Sequence, residues 1–472
     1  MQDLVELGFG KSEKELSIDK LKITGKIPEW LEGMFIRNGP GTFEVGNQKY
    51  RHWFDGLAML HKFTFRNGDV AYANKFLECK AYNEAKEKGE IAYSEYATDP
   101  CRSLFHRVTA VFNQKITDSA KVNIAKFTDH YLALGETSTQ IKFDPDTLQA
   151  LGEYYYETKY KQHITTVHPA TDLRTGDTYQ LVSRFGRMSH YRMLRIDRKG
   201  KSDVVGEIPV FEPAYLHSFG LSQNYLVIVE FPLVVYPLKL LFQLKPFIEN
   251  FNWKPKRGTT FYVMDRNNGE LKGKYQTEAF FAFHHVNAFE QNGELILDID
   301  AYEDASIIDS FYINRIKDEN MELPFGRITR FRIDLKEQGT IKSEIICDDC
   351  IEMPRYYFDK YNMNAGYRYV YGLGVNDAYR KGFYNQLIKI DIKTGKSINW
   401  FKIHQYPSEP VFIPNPAAKR EDDGIIITIV LDAVKKNSYL LILNAESLNE
   451  IGRAEVEQPI LIGYHGAYFE NK

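Results

Sequence analysis

Four histidines share a similar spacing from a recurring turn. His168, His217, His284 and His465 follow Asp144, Asp197, Asp265 and Asn444 by 24, 20, 19 and 21 residues. Glutamates hold a similar phase in the other repeats. Glu352 and Glu409 each lie 18 residues after Asp334 and Asp391, and Glu136 stands shortly before Asp144. Equivalent positions in successive repeats face the same place, so four imidazoles and three carboxylates are expected to converge. A transition metal suits such a set: each ligating ring must be neutral, and a carboxylate on its other nitrogen fixes tautomer and aim. All-nitrogen ligation without cysteine fits Zn, Fe, Cu or Ni, whereas Ca and Mg take oxygen ligands. Four imidazoles around an octahedral ion leave two positions free, as Fe(II) needs to bind dioxygen. Zinc fits the same donors.

The elements that would position these residues are hairpins. Polar turns interrupt apolar, β-rich runs at Arg66 (FRNGD), Asp144 (FDPDT), Asp197 (IDRKG), Asp265 (MDRNNG), Asp334 (IDLKEQG), Asp391 (IDIKTG) and Asn444 (LNAES). Asp, Asn and Gly between alternating apolar runs are turn-forming chemistry. From Asp144 onward the turns are 53, 68, 69, 57 and 53 residues apart. Seven turns at that period predict an all-β fold, a seven-bladed propeller of four-stranded blades, with the histidines on axial strands. The gap before Asp144 is longer, at 78 residues, and holds helix-like insertions around Glu84–Lys88 and Ser103–Phe112. No Pro-, Gly- or Ser-rich linker divides the chain, so residues 1–472 read as one domain.

The stretches around these residues resemble a known family. VHPATD at His168, YLHSFGLSQNYLVIVE at His217, AFHHVNAFE at His284 and YHGAYF at His465 are similar to the histidine motifs of the carotenoid cleavage oxygenases. FIRNGPGTFE (35–44), HWFDGLAMLH (52–61), YPSEPVFIPNP around Glu409 and the acid–proline segment at Glu352 resemble further signatures, and the likeness runs from about residue 25 to the end. DPCRSLFHRV and the C-terminal SYLLILNAESLNEIGRAEVE look most like the animal branch. The resemblance implies a propeller whose insertions cap an axial iron. It implies one Fe(2+) per chain on His168, His217, His284 and His465, with Glu136, Glu352 and Glu409 holding three of the rings. It also selects His284 rather than His285. The implied activity is dioxygen-dependent cleavage of a conjugated double bond in a carotenoid or apocarotenoid. Cleaving an alkene to two carbonyls removes four electrons, and dioxygen accepts four, which agrees with the lack of a Rossmann fingerprint. Two family variants of this site are a retinoid ester isomerohydrolase and a stilbene-cleaving oxygenase. Outside this class the alternative is a ligand-binding propeller without turnover; loss of any of the four histidines would support it, and all four are present. Two positions depart from the pattern: Ala170 stands where animal members often have histidine, and Gly135 precedes the first acid. A smaller residue at 135 is expected to leave room beside the metal.

Bulk composition narrows the partners. A net charge of −3 gives no reason to expect nucleic acid. Four cysteines make no disulfide framework, and Cys347 and Cys350 form a lone CxxC better suited to a turn than to zinc. The N-terminus has neither the basic nor the apolar region of a signal peptide, which points to the cytoplasm. The apolar stretch Phe231–Phe247 is too short to span a bilayer and is broken by Pro232, Pro237 and Pro246. It fits either buried core or a surface patch in peripheral contact with a membrane, with Lys239 and Lys245 reaching outward.

Overall fold

A computed structural model describes residues 2–12, 14–100, 116–156, 162–242, 245–336 and 341–470. Seven antiparallel sheets of four to six strands follow one another along the chain and form the blades. The seven turns read from the sequence all close the outer hairpins. Gly33–Thr42, Leu57–Arg66 and Asp69–Phe76 run consecutively in the first blade, and Gln140–Phe143 is joined to Ala150–Tyr154 through the Asp144 turn in the second. The turns form because their own side chains replace missing backbone partners. Asp197 Oδ1 accepts N–H bonds from Lys199 and Lys201, Asp391 Oδ1 from Lys393, and Asn444 Oδ1 from Glu446 and Ser447. The Arg66–Asp69 hairpin instead uses Asn67 and Gly68, both left-handed at φ 51° and 77°, as a tight two-residue turn requires.

The ring is closed by both ends of the chain. Gly466–Glu470 pairs with Gly33–Arg37 as the strand of the first blade nearest the axis, and Lys22–Gly25 pairs with Gly452–Glu455 at the outer edge of the seventh. Long apolar strands such as Gly424–Asp432 and Asn437–Asn444 are buried on both faces, between neighbouring blades. The helix-like insertion near Glu84–Lys88 is the helix Lys80–Lys88, ended by left-handed Gly89. The insertion at Ser103–Phe112 lies outside the described residues.

Phe231–Phe247 does not behave as one unit. Phe231, Val234 and Val235 are fully buried, and Leu233–Val234 pairs with Asn252–Trp253. The chain then turns outward at Tyr236 into the helix Pro237–Phe242, where Tyr236 and Leu238 are 52% and 46% exposed. Its first third is core, and its helix carries surface. Among the described residues, no helix is long and apolar enough to cross a membrane. Cys347 and Cys350 are buried and form no disulfide, while Asp348 between them is exposed, so the CxxC lies on a surface loop with its thiols turned inward.

Candidate metal centre

Each histidine sits where an axial strand begins or breaks. His168 lies between Ile164–Thr165 and Ala170–Thr171, two short pieces that pair with the same neighbour, Thr178–Arg184. His217 comes just before Gly220–Leu221, His284 directly before His285–Gln291, and His465 directly before Gly466–Glu470. A regular strand would alternate its side chains between two faces. At these interruptions the backbone turns each ring inward. His285, one residue along, points away and its Nδ1 meets Ser218 Oγ at 2.8 Å.

The four rings crowd together. His168 lies 4.9, 4.9 and 4.4 Å, centroid to centroid, from His217, His284 and His465. Nε2 of His168 is 3.1 Å from that of His217, and Nε2 of His284 is 3.3 Å from that of His465. One nitrogen from each ring falls within 4.8 Å of all the others. The opposite nitrogens face carboxylates: His217 Nδ1 meets Glu136 at 2.7 Å, His284 Nδ1 meets Glu352 at 2.5 Å, and His465 Nδ1 meets Glu409 at 2.7 Å. With Nδ1–H donated outward, three Nε2 lone pairs point at one another inside a shared space. A cation between them relieves that repulsion, so the donor set fits a transition-metal ion.

Burial favours the neutral form that ligation needs at His168, His217 and His465. Burial, followed by the neighbouring imidazoles, holds His168 well below the usual histidine range. Burial pushes His465 down to about 3 despite Glu409, and lowers His217 despite Glu136. Burial would raise Glu409, but Arg355, His465 and Arg37 outweigh it and hold that carboxyl well below its ordinary value. Glu352 is likewise pulled down against burial by His284, Tyr302 and the Met353 N–H.

Several supporting residues gave no periodic signal. Arg355 Nε donates to Glu409 Oε1 at 2.7 Å, and Arg37 donates to the Glu409 carbonyl at 2.6 Å. Tyr215 donates to Glu136 at 2.6 Å, and Tyr302 donates to Glu352. Met353 holds a left-handed backbone, φ 50°, which lets its N–H reach Glu352 Oε1 at 2.9 Å. Strained backbone of this kind persists where the surroundings over-determine it. Asp300, fully buried beside Glu352, is pushed well above the carboxylate range by burial and then by that neighbour. Glu136 departs from the phase of the other acids. It comes from the link between the second and third strands of its blade, His130–Leu134 and Gln140–Phe143, not from an axial strand.

Two spaces adjoin the rings. A chamber of about 20 Å³, bounded by Trp53, Phe54, Phe283, Phe311, Val122 and Met353, contacts His217, His284 and His465. It holds roughly one water-sized molecule. A mainly apolar cavity of about 250 Å³ has His217 and Glu136 in its wall and extends to Pro237, Leu238, Leu240 and Phe247. Gly135 lines it too, but little room lies there: a Cβ would sit 3.1 Å from Ala120 Cα. The expected opening beside the metal is therefore occupied by backbone.

Residues 9–470 match the sequence profile of RPE65, retinal pigment epithelial membrane protein. The chain belongs to this RPE65/carotenoid oxygenase family. It is 33% identical to the beta,beta-carotene 15,15'-dioxygenase of Gallus gallus, over 95% of each chain. It is also 33% identical to the carotenoid isomerooxygenase of Galleria mellonella, over 92% of this chain and 89% of that one. The Synechocystis apocarotenoid oxygenase (Glu150Gln mutant) superposes with a TM-score of 0.89 at 25% identity, covering 100% of this chain and 99% of that one. A cobalt-substituted form of that oxygenase superposes equally well. Family members thus share this propeller.

Proposed function

We propose that this carotenoid oxygenase relative is a non-haem Fe(II) dioxygenase that cleaves one conjugated double bond of a carotenoid or apocarotenoid into two carbonyl products. Residues 1–472 act as one domain holding one iron on His168, His217, His284 and His465, with Glu136, Glu352 and Glu409 fixing three of the rings. The observation that carries this reading is the convergence of four imidazole nitrogens beside a chamber for one small molecule and a mainly apolar cavity. When bound, the iron supplies activation of dioxygen. The chain's own groups bind the polyene along the cavity wall and exclude water through the aromatic cage of Trp53, Phe54, Phe283 and Phe311. They also keep the rings neutral and aimed. Because the substrate dissolves in lipid, we further propose that Tyr236, Leu238 and the flanking Lys239 and Lys245 rest on one leaflet and bring the cavity mouth to it.

The test is a substrate panel on iron-loaded protein. A carotenoid, an apocarotenoid, a stilbene and a retinyl ester are incubated separately and their products analysed by mass. Aldehydes from the first two support the reading; retinol from the ester alone makes the chain an isomerohydrolase. Aldehydes from the stilbene alone make it a stilbene cleaver, and no turnover with full iron content makes it a binding propeller.

A further inference from the structure

We propose that Asn250 supplies a fixed hydrogen-bond acceptor in the wall of the apolar cavity and recognises a hydroxyl group at one end of the polyene. The inference rests on the cleavage reading above and names a feature of its substrate.

Asn250 ends the short helical turn Ile248–Asn250, is only 7% exposed, and lines the cavity beside Leu240, Lys245 and Phe247. Its amide has one orientation. Nδ2 donates to the carbonyls of Lys245, Pro246 and Phe247 at 3.2, 2.8 and 3.3 Å, and a reversed amide would set its oxygen against all three. Oδ1 therefore lies on the other branch of the planar group. It meets no N–H or O–H of the described residues, yet it keeps accessible surface. The turn is also tied to the metal centre. The Ile248 N–H donates to the Tyr96 carbonyl at 3.0 Å, and the rings of Phe247, Tyr96 and Tyr215 follow one another at 6.3 and 5.8 Å. Tyr215 donates to Glu136, the carboxylate on His217. A row of aromatic rings thus separates the acceptor from the nearest metal ligand, a surface along which an apolar chain can lie.

The three backbone carbonyls account for Nδ2, whereas among the described residues nothing in the fold uses Oδ1. An acceptor placed in a mainly apolar wall selects what fills the cavity. A ligand there strips water from the oxygen and must replace that hydrogen bond or leave the oxygen unpaired. An amide oxygen only accepts, so the ligand must donate. An alcohol O–H does so. A hydrocarbon ring, an ether, an aldehyde and a ketone do not. A polyene with a hydroxylated end combines the apolar body this cavity takes with the one donor that Oδ1 lacks.

The test compares three polyenes of equal length whose end ring is hydroxylated, methoxylated or plain hydrocarbon. In the parent protein kcat/KM should favour the alcohol over both others by roughly 3- to 10-fold, the scale of one neutral hydrogen bond. The ether separates donation from mere polarity. Asn250→Ala and Asn250→Asp both remove the N–H groups that hold the Lys245, Pro246 and Phe247 carbonyls, but only Asp keeps an acceptor. The preference should vanish in the first variant and persist in the second. Should either variant fold poorly, the parent series alone decides whether a donor is required. Equal values for the three polyenes in the parent, or a preference kept or lost alike in both variants, overturns the subsite. Equilibrium binding of the same polyenes, read by quenching of tryptophan fluorescence, makes the comparison without turnover. Preferential binding without cleavage would uphold the subsite and refute the cleavage reading; cleavage without preference would do the reverse.

Discussion

Glu352→Gln keeps the size of the side chain and removes the charge facing His284 Nδ1, Tyr302 and the Met353 N–H. Such outer partners typically matter 10- to 100-fold, and cleavage should drop by about that factor with little change in melting temperature. Undiminished activity would show that Glu352 does not hold the ring. Removing a ligand goes further: His217→Ala and His284→Ala should each lose the iron, measured by elemental analysis against the parent. Stoichiometric zinc, in protein prepared with both metals available, would contradict the iron assignment. The convergence of the four histidines was readable beforehand because each of them, like two of the acids, keeps step with a turn whose chemistry is local. Arg355, Arg37, Tyr215 and Tyr302 were not. They reach the three glutamates from 54, 372, 79 and 50 residues away, and nothing in their own neighbourhoods records the meeting. The left-handed Met353 is equally silent, since methionine carries no local preference for positive φ and the conformation is set by its contacts.

The seven Asx-type or tight turns show why the fold class could be read at all: Asp391 or Asn444 satisfies its own turn, whatever the rest of the chain does. What a strand does after such a turn is set by distant partners. Glu136, placed in the sequence only by its nearness to Asp144, belongs to the link between the second and third strands of its blade. Phe231–Phe247 looked uniform, yet its start is clamped against Asn252–Trp253 and its helix faces outward. The helix carries a prediction of its own. Tyr236→Ser with Leu238→Ser removes two exposed apolar groups without touching Phe231 or Val235 in the core. Liposome flotation should show binding weakened several-fold, and vesicle-borne substrate should turn over more slowly than detergent-dispersed substrate. Unchanged flotation would place the membrane contact elsewhere.

Across the whole molecule, the ring buries ionisable groups that couple its stability to pH. Burial holds His52 and His61 at about 3, far below the ordinary 6.5. Below pH 6.5 the unfolded chain takes up protons that the folded chain refuses, so stability is complete above that value and falls as pH drops toward 3. Each such histidine contributes about 1.4 kcal/mol per pH unit in that window. Urea unfolding of the metal-free protein should therefore weaken steadily below pH 6.5, and His61→Gln should flatten the dependence; an identical slope would mean that His61 is protonated in the folded state. The propeller's larger purpose is to bring four distant imidazoles, a small chamber and a mainly apolar cavity to one point, and the chemistry assigned to that point has a direct readout. Iron-loaded protein is given a carotenoid it cleaves under labelled dioxygen, with the carbonyl products reduced at once to prevent exchange with water. Mass spectrometry should find one labelled oxygen atom in each of the two products; label in only one, or in neither, would contradict cleavage by a dioxygenase.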